Sequence, residues 1–338
     1  MLFDEIRRAV VSGKSLEGFI GQEDVKKQVL SALMSAHHMV LIGPPGTGKT
    51  TLAKDVAGLL GEIEVIGCGF NCIPEDPSCP FCMSAGSGKG KKKVLSGIQR
   101  FVRIQGSPDL TFEDIIGDID PKKALEHGAF SLEAFKPGKM FKANNGILFF
   151  DEINRCPAKL QNALLQVLDE RKATIGGFEL ELYSDFIMIA TMNPEDDSTE
   201  SLSDVFLDRL DVVKVGFPET QSVENTIVSS KGLSLCKVSP EMLSIITGFI
   251  RHLRNSSKIE KKPSVRASIA IYERAQANAL LAGRSEVCID DMRSSILSVL
   301  MYRMRLKPSE EYKTNVLDFI NQELSGFLDR IESQGGCP

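Results

Sequence analysis

Gly43-Pro44-Pro45-Gly46-Thr47-Gly48-Lys49-Thr50 decides how this chain is read. The stretch matches G-x-x-x-x-G-K-[ST] and stands between a short apolar run, 39–42, and a helical pattern carrying Leu52, Val56, Leu59 and Leu60 that closes at Gly61. That context is what the motif requires, because the glycines turn backbone N–H groups inward around phosphates and the next helix adds its N-terminal dipole. Gly43, Pro44, Pro45, Gly46, Thr47 and Gly48 are expected to cradle the phosphates of ATP, with Thr51 directly behind. Lys49 should reach the β- and γ-phosphates, and the Thr50 hydroxyl should ligate Mg²⁺. A plain Gly-rich turn does not account for pattern and context together.

Working outward, Val25, Val29, Leu30 and Leu33 recur at helical spacing ahead of the loop. Beyond it, the apolar runs 147–150 and 186–191 read as buried parallel strands, and 101–105 and 212–215 as further strands. A helix with Leu160, Leu164, Val167 and Leu168 on one face separates the two buried runs, and Gly176-Gly177 reads as a hairpin turn before 179–182. Strands alternating with helices predict a doubly wound α/β domain over 1–217. After Gly216-Phe217-Pro218 the pattern turns helical: a helix from Pro240 capped by Ser239, one over 264–282 stopped by Gly283, one from about Asp290, and an amphipathic one over 312–331. No strand signal shows there, so an all-helical domain over 218–308 and a C-terminal helix over 309–338 are expected.

Ile147-Leu148-Phe149-Phe150 ends in Asp151-Glu152. A buried strand that ends in two carboxylates needs a partner for the charge, because an unpaired buried charge is expensive. A metal ion and a water to be polarised supply one. Asp151 is expected to hold the Mg²⁺ shell and Glu152 to orient and activate the attacking water.

With these residues in place the chain resembles the AAA+ ATPases, in the clade of the MoxR-type ATPases and the magnesium-chelatase I subunit. The resemblance runs from about Phe19 to Lys307. It is carried by 144–155, by 164–171 with Thr174-Ile175, by 111–117 and Lys136-Pro137-Gly138 in an insert (about 106–143) within helix 2, and by 266–284. Two features depart from the chelatase pattern: Pro44-Pro45 stands where those subunits carry a charged residue, and the Asp-Glu segment is MoxR-like. The resemblance implies a P-loop AAA+ sheet followed by a helical lid. It also implies that Asn193 is sensor 1, that Arg209 in Leu207-Asp208-Arg209-Leu210 is an arginine finger for the neighbouring subunit's γ-phosphate, that Arg266 is sensor 2, and that Ile20 and Gly21 lie near the adenine. An arginine supplied in trans ties hydrolysis to assembly. Each arginine also has a bland reading as a surface cation, and Arg155 reads as structural.

Eight cysteines are present, and four of them fall within fifteen residues: Cys68-x₃-Cys72-x₆-Cys79-x₂-Cys82, inside an insert over 66–95. A short cluster of this kind is a metal site more often than a disulfide framework. A structural Zn²⁺ on four thiolates is the preferred reading; an iron–sulfur cluster, free thiols and a disulfide stay open. Lys89, Lys91, Lys92 and Lys93 follow at once, in a Gly/Ser/Lys stretch that reads as a solvated basic loop. The net charge of −5 and the absence of Trp disfavour a broad nucleic-acid surface. The first eleven residues carry Asp4, Glu5, Arg7 and Arg8 and do not form a signal peptide, and no run reaches the ~20 apolar residues of a bilayer span, so a cytoplasmic protein is expected.

Added to these features, the resemblance implies a ring-forming ATPase, as a hexamer, that remodels a protein partner or drives metal insertion. The resemblance implies a partner with a von Willebrand A-type domain. A DNA-remodelling or translocating motor of the same clade is the alternative, and a nucleotide-controlled scaffold that barely turns over is disfavoured by Glu152, Asn193 and Arg209.

Overall fold

The computed structural model describes residues 2–84, 91–128, 131–175, 180–194 and 202–333. The Gly176-Gly177 turn and Lys89 lie outside the described residues. The chain forms two compact units, the first of 2–19, 23–43 and 48–215, the second of 20–22, 44–47 and 216 onward.

In the first unit, α1 (Leu2–Val11) and α2 (Glu23–Met34) precede β1 (His38–Ile42). Leu2, Phe3, Ile6 and Ala9 make one apolar stripe on α1, and Glu23 and Asp24 place negative charge at the N-terminus of α2. Next come α3 (Lys49–Leu59), β2 (Ile63–Ile66), α4 (Pro80–Ser84), β3 (Lys92–Leu95) and β4 (Phe101–Gln105). The insert holds α5 (Phe112–Ile115), β5 (Gly117–Ile119), α6 (Pro121–His127), β6 (Phe135–Pro137) and α7 (Lys139–Lys142). Then follow β7 (Gly146–Asp151), α8 (Ala158–Glu170), β8 (Lys172–Ile175), β9 (Leu180–Tyr183), β10 (Phe186–Met192), α9 (Asp204–Leu207) and β11 (Leu210–Lys214). Antiparallel pairs β2–β3, β5–β6 and β8–β9 stand apart from the main sheet.

That sheet is parallel throughout, in the order β11-β1-β10-β7-β4. Alternation sends Leu148, Phe150, Met188 and Ala190 to one apolar layer and Ile147, Phe149, Ile187 and Ile189 to the other. Both faces are covered, which is why β7 and β10 read as continuous apolar runs instead of alternating ones. The chain leaves β1, crosses to β4 at the edge, and returns through β7 and β10 to lie beside β1 before β11 forms on its far side. The connections leaving the neighbours β1 and β10 run in opposite directions across the sheet, so their carboxyl ends open a crevice of the kind in which α/β sheets bind ligands.

In the second unit, α10 (Gln221–Lys231), α11 (Pro240–Asn255), β12 (Ile259–Lys261), α12 (Val265–Leu281), α13 (Ile289–Leu300), β13 (Arg305–Leu306), α14 (Pro308–Glu311) and α15 (Val316–Ser333) follow in order. Ser239 Oγ accepts from Met242 N with Pro240 at the first position of α11, and Gly283 takes φ +74° just after α12. The short antiparallel pair β12–β13 corrects the expectation of no strand in this region. With two or three residues per strand, it is too brief for any periodicity to reveal. Phe319, Ile320, Leu324 and Leu328 of α15 are buried in the same core as α11, α12 and α13, so this helix is an integral part of the unit.

Candidate nucleotide site and cysteine cluster

The phosphate loop leaves β1 at Gly43, whose missing Cβ would lie 2.0 Å from the Val215 carbonyl oxygen. Gly46 and Gly48 take φ of +75° and +92°, the left-handed region that only glycine enters cheaply. A side chain at Gly48 would strike the Phe19 ring, an apolar wall beside the loop that the sequence alone did not single out. Thr47 Oγ1 donates to Pro44 O at 3.0 Å, and Lys49 Nζ donates to Gly43 O at 2.6 Å, so the lysine folds back over its own loop. Thr50 and Thr51 follow Lys49 in the first turn of α3, where the helix dipole favours an anion.

Strands β7 and β10 bring their carboxyl ends together. Thr191, buried near the end of β10, donates its hydroxyl to Asp151 Oδ1 at 2.7 Å and accepts from Glu152 N at 2.9 Å. One hydroxyl therefore fixes both acidic positions. Glu152 sits at φ +56°, ψ +53°, a conformation that costs a non-glycine residue energy and is retained where the surroundings over-determine it. Three polar groups surround this pair. Arg103 on β4 forms an ion pair with Asp151, Gln105 Nε2 donates to Glu152 Oε2 at 3.2 Å, and Arg155 lies 3.3 Å from Glu152 Oε2. Arg103 and Gln105 are two apart on one strand face, a spacing visible in the sequence but without meaning until β4 is known to lie beside β7. Asn193 follows β10 directly, and its carbonyl accepts from Asn154 Nδ2 at 3.2 Å.

Arg209 is held within its own unit. Its Nε donates to both Asp169 carboxylate oxygens, at 2.7 and 2.9 Å, and Nη1 donates to Val205 O. The Arg209 guanidinium keeps the Asp169 carboxyl below its usual range. In the second unit, Gly46 meets the start of α12: its missing Cβ would stand 2.5 Å from Ser264 Oγ and 3.3 Å from Arg266 Cγ. The segment carrying Arg266 thus lies beside Gly46 within this unit. It is bracketed by a buried pair, because Arg254 donates from Nε to Pro263 O and bidentately to Glu224, and Glu224 also accepts from Ser268 Oγ at 2.6 Å. Ile20 and Gly21 belong to this unit as well, and Gly21 (φ +75°) lies against Val223.

Cys68, Cys72, Cys79 and Cys82 converge, with their four sulfurs all within 4.8 Å of one another. Hydrogen bonds from the Cys72 and Cys79 thiols, with backbone N–H groups of Cys72 and Phe70 adding to them, hold the Cys68 thiol far below its usual range. Burial pushes Cys82 up to about 12. A tetrahedral zinc with ~2.3 Å Zn–S bonds spaces its sulfurs about 3.8 Å apart, so this donor set fits the ion after small adjustments.

The family model described as "ATPase family associated with various cellular activities (AAA)" matches residues 87–212; "Magnesium chelatase, subunit ChlI" matches 15–66 and "AAA lid domain" matches 251–320. A magnesium-chelatase subunit ChlI homolog of Methanocaldococcus jannaschii is 30% identical over 335 residues, covering 88% of this chain and 87% of that protein. The chaperone MoxR1 of Mycobacterium tuberculosis is 27% identical, covering 89% of this chain and 76% of its own length. Among solved structures, a P216G mutant of RuvB from Thermotoga maritima superposes with a TM-score of 0.50 at 19% identity, over 85% of this chain and 73% of that one, a likeness of fold. No helix among the described residues is long and apolar enough to cross a membrane. With a 30%-identical relative spanning nearly nine-tenths of both chains, this chain belongs to the AAA+ ATPases of the MoxR and magnesium-chelatase I-subunit type.

Proposed function

We propose that this chain hydrolyses Mg²⁺–ATP as one subunit of a six-membered ring and uses the energy to remodel a protein partner or to drive metal insertion. The observation that carries the reading is the Thr191 hydroxyl joining Asp151 and Glu152 at the end of β7. Mg²⁺, when bound with ATP, neutralises phosphate charge. Asp151 and Thr50 are its ligands in this reading, and Lys49 swings from Gly43 O to the phosphates. Glu152 takes a proton from the attacking water, which Asn193 helps to position. Arg266 contacts the phosphates within the subunit, and Arg209 exchanges Asp169 for the neighbour's γ-phosphate. Ile20 and Gly21 flank the adenine. A partner with a von Willebrand A-type domain and a cytoplasmic location complete the proposal, together with a structural zinc on the four cysteines.

Replacing Lys49 with Ala should abolish tight ATP binding, whereas Glu152→Gln should bind ATP and lose at least about a hundredfold in turnover, the usual contribution of a positioned general base. Equilibrium nucleotide binding and phosphate release separate the two. Turnover at the wild-type rate in Glu152→Gln would remove the assigned base. A DNA-translocating motor finds less support here, since Lys92 of the basic run is already paired with Glu64. ATPase stimulation by DNA, steeply lost with salt, would reverse that preference.

A further inference from the structure

The cysteine cluster lies at the opposite end of β7 and β10 from the catalytic carboxylates. Between the paired strands β2 and β3, the described residues 67–84 hold one helix, the five-residue α4. Their contacts are made with the turn that starts the central strands. Buried Asn144 donates from Nδ2 to Phe70 O at 2.9 Å and Ser78 Oγ at 3.3 Å, and its Oδ1 accepts from Asp185 N at 2.9 Å, one residue before β10. Asn145 donates from Nδ2 to Asn71 O and from its backbone N–H to Asp185 O, one residue before β7. Asn71, itself at φ +47°, donates from Nδ2 to Lys142 O at 2.6 Å. Ser78 Oγ lies 3.5 Å from Cys72 Sγ, so the network touches the cluster directly. Phe70 packs against Phe141 and Phe135 of the insert.

We propose that Cys68, Cys72, Cys79 and Cys82 hold one zinc ion as a clasp that fixes where β7 and β10 begin, and so sets the placement of Asp151, Glu152 and Asn193 at their far ends. Apart from Phe70 and Phe81 the loop brings little but its cysteines to the apolar core, so a four-thiolate metal site adds the binding energy that keeps it closed. The carbonyls of Phe70 and Asn71 and the Ser78 hydroxyl are held in place by the loop that the thiolates close. Sulfurs within 4.8 Å of one another suit a single ion at their centre, whereas the several irons of a cluster would have to stand between them and spread them apart. The part of this inference that concerns turnover rests on the proposed ATP hydrolysis; the part that concerns metal and strand ends does not.

The test uses the full chain. Elemental analysis of purified protein should give about one zinc per chain in a colourless solution. Stripping the zinc with phenanthroline, or Cys79→Ser, should speed hydrogen exchange in 67–84 and in 139–146 together. The same treatments should leave ATP affinity within about threefold, because the phosphate loop lies on β1 and α3, and lower turnover by about ten- to a hundredfold, the cost of displacing catalytic groups by on the order of 1 Å. Returning zinc to stripped protein should restore both. Should stripped protein aggregate, Asn71→Ala keeps all four thiols and its zinc, and should still loosen 139–146 and slow turnover. Metal-free protein as purified, or iron with absorbance near ~400 nm, overturns the zinc assignment. Unchanged exchange over 139–146 after zinc loss, or in Asn71→Ala, overturns the clasp. A zinc-loaded wild type without ATPase activity counts against the proposed hydrolysis, and the exchange result still decides the clasp.

Discussion

Thr191 is a small residue with two duties, since its single hydroxyl donates to Asp151 and accepts from Glu152 N. Thr191→Val keeps the branched shape and removes both bonds. It should retain ATP binding and lose about tenfold or more in turnover, because catalysis of phosphoryl transfer depends on position. Normal phosphate release from Thr191→Val would show that backbone geometry alone holds the two acids. His38 makes a separate statement about pH. Its Nδ1 accepts from Met188 N, and burial, helped by the Arg171 and His37 charges, lowers its pKa to about 4. The folded chain therefore keeps the ring neutral where an unfolded chain, near pKa 6.5, takes up a proton. Its stabilising contribution is complete above pH ~6.5 and falls as pH drops towards 4, by up to roughly 3 kcal/mol. Urea titrations at pH 7 and 4.5 should show this loss, and His38→Gln should flatten it. An equal pH slope in both proteins would assign the effect to other groups.

Elements were legible in proportion to the length of their periodic pattern. Continuous apolar runs marked β7 and β10 because helices cover both faces of the sheet, and α11 and α12 announced themselves through Ser239-Pro240 and Gly283. The helix α1 is not among the elements expected from the sequence, although Leu2, Phe3, Ile6 and Ala9 make one apolar stripe along it. Yet Glu5 of α1 makes a bidentate pair with buried Arg100 and accepts from Gly61 N, tying the first helix to the sheet. The helix α10 carries no such signal, being a polar stretch whose only buried residues are Val228 and Glu224. Glu224 and Arg254 are both buried, and breaking such a pair by removing one partner typically costs about 3–5 kcal/mol. Glu224→Ala should therefore destabilise the second unit by that order in urea unfolding. It should also weaken the hold on Pro263–Ser268, so the effect of Arg266→Ala on turnover should be smaller in that background. Full additivity of the two substitutions would argue that the pair has no bearing on Arg266.

At the scale of the whole molecule, Arg209 is the residue whose proposed duty lies outside its own chain. Arg209→Ala should bind ATP and hydrolyse it poorly. Mixed with Lys49→Ala, it should regain some activity, because an intact finger then meets an intact pocket in the same ring. Mixed rings without recovery would exclude a shared site. Asp169→Asn, which loosens the intramolecular partner of Arg209, should hold or raise activity at low protein concentration; a loss there would make the ion pair structural. What the sequence by itself determined was the phosphate loop, the Asp151-Glu152 strand end, the alternating α/β order and the spacing of the four cysteines. These are local patterns, set by glycine conformations, apolar periodicity and donor chemistry within a few dozen residues. Only the tertiary structure decided that Arg103 and Gln105 face the two acids, that Thr191 joins them, that Asn144 and Asn145 dock the cysteine loop, and that Glu224 and Arg254 bracket the Arg266 segment. Each of those contacts connects elements far apart in the chain. Sheet order and buried hydrogen-bond satisfaction select their partners, and neither is written in the spacing of neighbouring residues.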